Sequence, residues 1–171
     1  MATIAALGAL CALSLTASAT LSAQTQSDPR IGTWDEQRIS ADFDSLLRVY
    51  EPTGTGKIRM IVNAKLLEAN RSYVDFSCDG SKYRIVTQDG KFSGITYSCR
   101  RTGPRTFKFA STRAVADSGV AVPTSGAGDW VSAVGTETVS ADGKTYSTTA
   151  ILSYADGHKR ERRHEFVRRG S

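Results

Sequence analysis

Between residues 45 and 169 apolar and polar side chains alternate in short runs broken by Gly, Asp, Pro and Ser. A period of two marks a strand with one buried face. The runs are SLLRVYE (45–51), KIRMIVNAKLLEA (57–69), RSYVDFSC (71–78), KYRIV (82–86), FSGITYSCR (92–100), RTFKFAST (105–112), DWVSAVGTETV (129–139), TYSTTAILSY (145–154) and HKRERRHEFVRR (158–169). The second half of 57–69 also suits a helix. The last three runs read as a meander. The pattern lapses over 114–128 (AVADSGVAVPTSGAG), which reads as a flexible surface loop, with a functional lid or an insertion as the alternative. The pattern predicts an all-β chain of short antiparallel strands.

Asp-Gly stands between runs four times, at Asp79-Gly80, Asp89-Gly90, Asp142-Gly143 and Asp156-Gly157. That dipeptide is a hairpin signal, and a type I′ turn is expected at each. Ala-Asp-Gly occurs twice, at 141–143 and 155–157, and this spacing fits one strand plus one turn. Asp142 and Asp156 then lie at opposite ends of that strand, roughly 40 Å apart if it runs straight, so they form no carboxylate pair.

The first 23 residues contain no charged side chain and hold an apolar run followed by Ala-Ser-Ala. They read as a secretory signal peptide, with cleavage after Ala19 or Ala23. Residues 24–171 make one domain, exported to the periplasm or beyond it. Two cysteines remain, Cys78 and Cys99. In an oxidising compartment such a pair is expected to be a disulfide, worth roughly 3 kcal/mol by loop closure. The formal charge is +5, and 158–171 carries six Lys or Arg against two Glu. That strand is either a candidate docking surface for an anionic envelope component or a solvated, charge-protected edge.

Motifs for chemistry are weak. TGTGK (53–57) lacks the remainder of a phosphate loop, with Glu51 and Ile58 at the positions that need Gly and Ser or Thr. His158 and His164 should share a strand face but stand among arginines, which disfavours a metal. Asp42 and Asp44 sit in a polar stretch where solvation is the expected state. No catalytic set, metal or cofactor is expected.

Gly32-Thr33-Trp34 near the start of the mature chain is similar to the opening of lipocalin-type barrels. The resemblance implies an antiparallel up-and-down barrel of about eight to ten strands, in which Trp34 closes one barrel end under a basic side chain from the last strand, with Arg163, Arg168 and Arg169 as candidates. More widely, the chain resembles a family of bacterial secreted, lipocalin-like β domains of uncharacterised function. The carrying stretches are GTW (32–34), RVYEPTGTGKI (48–58), VDFSCDGSKY (74–83), RRTGPRTFKF (100–109) and VGTETVSADGKTYSTTA (134–150). The cysteine pair and the long 114–128 loop depart from that family's pattern, and it supplies no catalytic residues.

The expected function is therefore an exported, non-enzymatic barrel that binds a small apolar ligand. Val74, Phe76, Ile95, Tyr97, Phe107 and Phe109 are the candidate inward residues. The alternative is an envelope-interaction protein acting through Arg160, Arg162 and Arg163. A variant of that alternative is a lysozyme inhibitor, since DGKTY (142–146) resembles the Gly-x-x-Tyr loop of such proteins. The chain's positive charge opposes that variant, because lysozyme is itself cationic. No nucleic-acid partner is expected.

Overall fold

The structure, a computed structural model, describes residues 28–37, 47–62, 71–114 and 130–170. The signal segment, Asp42 and Asp44, the second half of the 57–69 run and nearly all of the 114–128 loop lie outside the described residues. Alternation along the described chain yields ten strands. They are β1 (Gly32–Glu36), β2 (Leu47–Pro52), β3 (Ile58–Val62), β4 (Ser72–Phe76), β5 (Asp79–Thr87), β6 (Phe92–Arg101), β7 (Thr106–Arg113), β8 (Trp130–Val139), β9 (Thr145–Tyr154) and β10 (Lys159–Arg168). Each strand pairs antiparallel with the next, and β1 pairs with both β2 and β10, so the sheet closes into an up-and-down barrel.

The period-two pattern sets which side chains turn inward. β6 buries Ser93, Ile95, Tyr97 and Cys99, and β9 buries Tyr146, Thr148, Ala150 and Leu152. At one end Trp34, Tyr50, Phe76, Phe107, Tyr146 and Phe166 are buried together. Each such side chain contributes about 1.5–3 kcal/mol on burial. Gly135 on β8 is required by packing: a Cβ there would lie 2.7 Å from the Phe109 ring and press on the Thr149 carbonyl.

Three of the four Asp-Gly dipeptides fall in hairpin turns, but the turn type differs. At 87–91 and 154–158 the first residue's N–H donates to the fifth residue's carbonyl, at 2.8 and 3.0 Å. The glycine N–H donates back to the first carbonyl, at 2.9 and 3.0 Å. Glycine is thus fourth in the turn, in the left-handed region, and Asp89 and Asp156 are third. This is a type I turn closed by a glycine bulge, a three-residue loop rather than the two-residue type I′ loop. Residues 53–57 repeat it with Gly56. Asp142-Gly143 sits in a four-residue loop closed by Ser140 and Thr145. In these loops the aspartates accept amide protons from two residues ahead, as Asp142 does from Lys144 and Asp156 from His158. Asp142 and Asp156 therefore shape turns at the two ends of β9. Asp79-Gly80 makes a corner instead of a closed hairpin. β4 and β5 share only the pairs Ser72↔Thr87 and Tyr73↔Val86, and Asp79 pairs with Arg100 of β6. The Cys78–Cys99 disulfide ties this corner to β6.

Candidate functional site

One end of the barrel is sealed around Trp34. Its ring is fully buried, and its indole N–H donates to the Arg30 carbonyl at 2.7 Å. Of the three candidate cations, Arg168 lies over the ring, 4.2 Å from its centroid. The same guanidinium donates to the carbonyls of Pro29, Ile31 and Gly143, at 2.8, 2.6 and 2.8 Å. A planar fork of donors suits such a set, whereas an ammonium does not. A Cβ at Gly32 would come within 2.6 Å of the Arg168 Nη1, so the glycine of Gly-x-Trp makes room for the closing arginine.

Beneath Trp34 the segment 28–31 feeds Arg30 into the interior. Its guanidinium is wholly buried and grips Asp28 with two N–H groups, at 3.0 and 2.8 Å. Nη1 donates to the buried Glu137 at 2.6 Å, and the group stacks on Phe107 at 3.8 Å. It also abuts both disulfide sulfurs, at 2.9 and 3.5 Å. Burial alone would lower its pKa, but Glu137 and Asp28 hold it well above the ordinary value. The hydroxyls of Tyr50 and Tyr146 meet at 3.0 Å, and Tyr50 reaches Glu137 at 3.4 Å. Burial, then the Glu137 charge, push both phenols up, so they remain neutral. On the outer side of this end lies an open depression of about 340 Å³ beside Cys78, Asp79 and Arg101.

The opposite half is built differently. Its inward positions include the small residues Ser72, Ser93, Ser111, Ala133, Gly135 and Ala150 beside Ile85, Ile95 and Leu152. Arg48, Arg113, Arg162 and His164 also turn inward. Arg48 pairs with Trp34 across β1–β2, and its guanidinium stands 5.7 Å from the Phe166 ring centroid. His164 Nδ1 meets Glu36 at 2.5 Å. Burial pushes His164 below its ordinary value, and although Glu36 pulls it upward, Arg48 and Arg162 press it down further. Arg113 lies over Trp130, 5.0 Å from its ring centroid.

All six predicted inward residues, from Val74 to Phe109, face the interior, and Cys78 and Cys99 are joined. His158 does not share a strand face with His164: it lies in the turn before β10, stacked on Tyr154 at 4.0 Å. The basic last strand divides its charge. Arg162 and Arg168 point inward, Arg169 forms a two-point ion pair with Asp35, and Arg163 lies 3.6 Å from Glu165. Arg30, Arg48 and Glu137 were not among the predicted site residues. For two of them a signal exists: Glu137 shares its parity with Ala133 and Val139, and Arg48 with Tyr50. A charge at an apolar parity marks an interior polar group. No protein-family model matches this chain, and a search of curated proteins finds no match to it.

Proposed function

We propose that the protein is a non-enzymatic carrier whose barrel holds one small, largely apolar ligand in the half opposite Trp34. The observation that carries this reading is Arg48. It is the cross-strand partner of Trp34 and points into the barrel, yet its side chain keeps 25% of its exposure while Trp34 keeps none. The barrel is thus less tightly closed at Arg48 than at Trp34. Several inward residues there retain 5–9% exposure, as at Ile85, Ile95, Ala133, Ala150 and Leu152, against 0–1% in the aromatic layer. A barrel of this size either fills its interior with side chains or holds one small ligand. The small inward residues support the second outcome. By the same reading we assign the chain to the exported lipocalin-like β domains, on its Gly32–Trp34 opening and its single closed barrel.

Native mass spectrometry of the protein purified from its own host tests the carrier reading. A reproducible extra mass, lost on denaturation and absent from a folded Ala150→Trp variant, is expected. A bare mass in the wild type, together with no uptake of added apolar ligands, would overturn it.

A further inference from the structure

We propose that the outer face of β5–β9 docks on an anionic phospholipid bilayer, with Lys82, Arg84, Arg100 and Lys108 on headgroup phosphates and the Val134–Ile151 pair at the lipid interface. The inference concerns the outside of the barrel and does not depend on the carrier reading.

The parity that turns Tyr97, Cys99, Phe107 and Phe109 inward turns the residues between them outward. Register then gathers cations that are scattered in the sequence. Lys82 pairs with Ser98, Arg84 with Thr96, and Arg100 with Lys108. All four cations are exposed. They occupy three neighbouring strands, within roughly 13 Å along the strands and roughly 10 Å across them. Arg100 and Lys108 stand directly opposite each other, and like charges so placed cost stability. Asp79 is the partner of Arg100 on its other side, but its carboxylate accepts from the Ser81 N–H at 2.8 Å and from the Tyr83 hydroxyl at 2.9 Å. Among the described residues Lys82, Arg100 and Lys108 form no ion pair, and Arg84 lies over Phe92, 4.3 Å from its ring centroid. An external anion would relieve this repulsion. The last strand differs, because its outward positions Lys159, Glu161, Arg163 and Glu165 cancel in charge.

The residues beside the cations select the kind of anion. From Ser132 to Thr138 on β8 and from Thr145 to Ser153 on β9, the outward positions are Ser, Thr, Val and Ile, without a charge. In their middle Val134 and Ile151 are cross-strand partners. They keep 52% and 44% exposure and are the exposed large hydrophobic residues among those described. Val134 also pairs with Ala110, the next outward residue after Lys108 on β7. A soluble polyanion would use the cations and leave this aliphatic pair in water. A bilayer surface engages both, with phosphates on the cations and aliphatic groups at the headgroup–acyl boundary.

Co-sedimentation of the full protein, purified from its own host, with vesicles tests the proposal. Binding is expected to vesicles containing phosphatidylglycerol and not to vesicles of phosphatidylcholine alone. Each cation contributes about fivefold in partitioning, so the combined Lys82→Gln, Arg100→Gln and Lys108→Gln variant should bind on the order of a hundredfold more weakly. Lys108→Gln alone should lose about fivefold, which keeps the test decisive if the triple variant fails to fold. Val134→Ser with Ile151→Ser should weaken vesicle binding about tenfold and leave binding to soluble polyphosphate unchanged. No binding of the wild type to the phosphatidylglycerol vesicles at low ionic strength would overturn the proposal. Polyphosphate bound as tightly as the vesicles, with the aliphatic variant indifferent, would replace the bilayer by a soluble polyanion. A larger loss from Arg160→Gln with Arg163→Gln than from the triple variant would move the surface to β10 and overturn its placement here. None of these outcomes bears on the interior, which native mass spectrometry decides separately.

Discussion

Replacing Arg30 by Met tests the interior charge network most directly. The side chain is wholly buried, and its loss strands Glu137, which is 1% exposed. Among the described residues, the groups left near that carboxylate would be the Tyr50 hydroxyl at 3.4 Å and Arg48 at 3.8 Å. Removing one partner of a buried ion pair costs about 3–5 kcal/mol, because the remaining charge stays out of water. Domains of this kind are stable by about 5–15 kcal/mol, so the single variant should lose roughly a fifth or more of its stability. Asp28, at the edge, can rehydrate and adds little. Replacing both Arg30 and Glu137 by Met should restore the barrel to within about 2 kcal/mol of wild type, since an apolar pair of similar volume avoids desolvation. Arg30→Lys should fall between, keeping the charge but not the two-point grip on Asp28. The assay is urea unfolding followed by circular dichroism at neutral pH with the disulfide intact, comparing midpoints at constant slope. A loss below about 1 kcal/mol for Arg30→Met would refute the reasoning. So would a double variant as unstable as the sum of its single changes.

Two further outcomes follow from the interior. The Tyr97 hydroxyl is buried and has no hydrogen-bond partner among the described residues, so Tyr97→Phe should be neutral or stabilising by up to about 1 kcal/mol; a loss above 1 kcal/mol in the same urea titration would show that the hydroxyl is satisfied. The folded-state pKa of His164 lies below its ordinary value of 6.5, so the unfolded chain takes up the proton first as pH falls. Stability from this group is therefore complete above about pH 6.5 and declines as pH drops toward the folded value. His164→Gln should flatten the decline in midpoint between pH 7.5 and 5.5, and an unchanged decline would rule this out.

Period-two alternation and turn residues are local signals, which is why the strands and their junctions can be read along the chain. They set backbone path and facing, and the inward positions of Val74, Phe76, Ile95 and Phe107 follow from parity alone. The exact turn geometry depends on loop length and register, and Asp-Gly serves a three-residue loop as well as a two-residue one. Arg30 is harder still. It stands in Asp-Pro-Arg, outside any alternating run, and meets Glu137 across 107 residues of sequence. Only ring closure brings the two together. Arg162 and Arg168 look like a basic surface in the sequence because a charged run hides its own parity: these two of its six Lys and Arg side chains belong to the inside.

The reach of Arg168 has a consequence for how the molecule is made. Its guanidinium holds the Ile31 carbonyl, 137 residues earlier in the chain. During synthesis the hairpins can form one after another as they emerge, but β1 has no second neighbour until β10 arrives. Until then the ring has two free borders, each able to recruit a strand from another copy. Contacts between such distant segments form late. The barrel therefore behaves like a clasp whose pin is delivered after the band. A chain cut before residue 168 would carry nearly all of its strands and still lack the piece that fastens them.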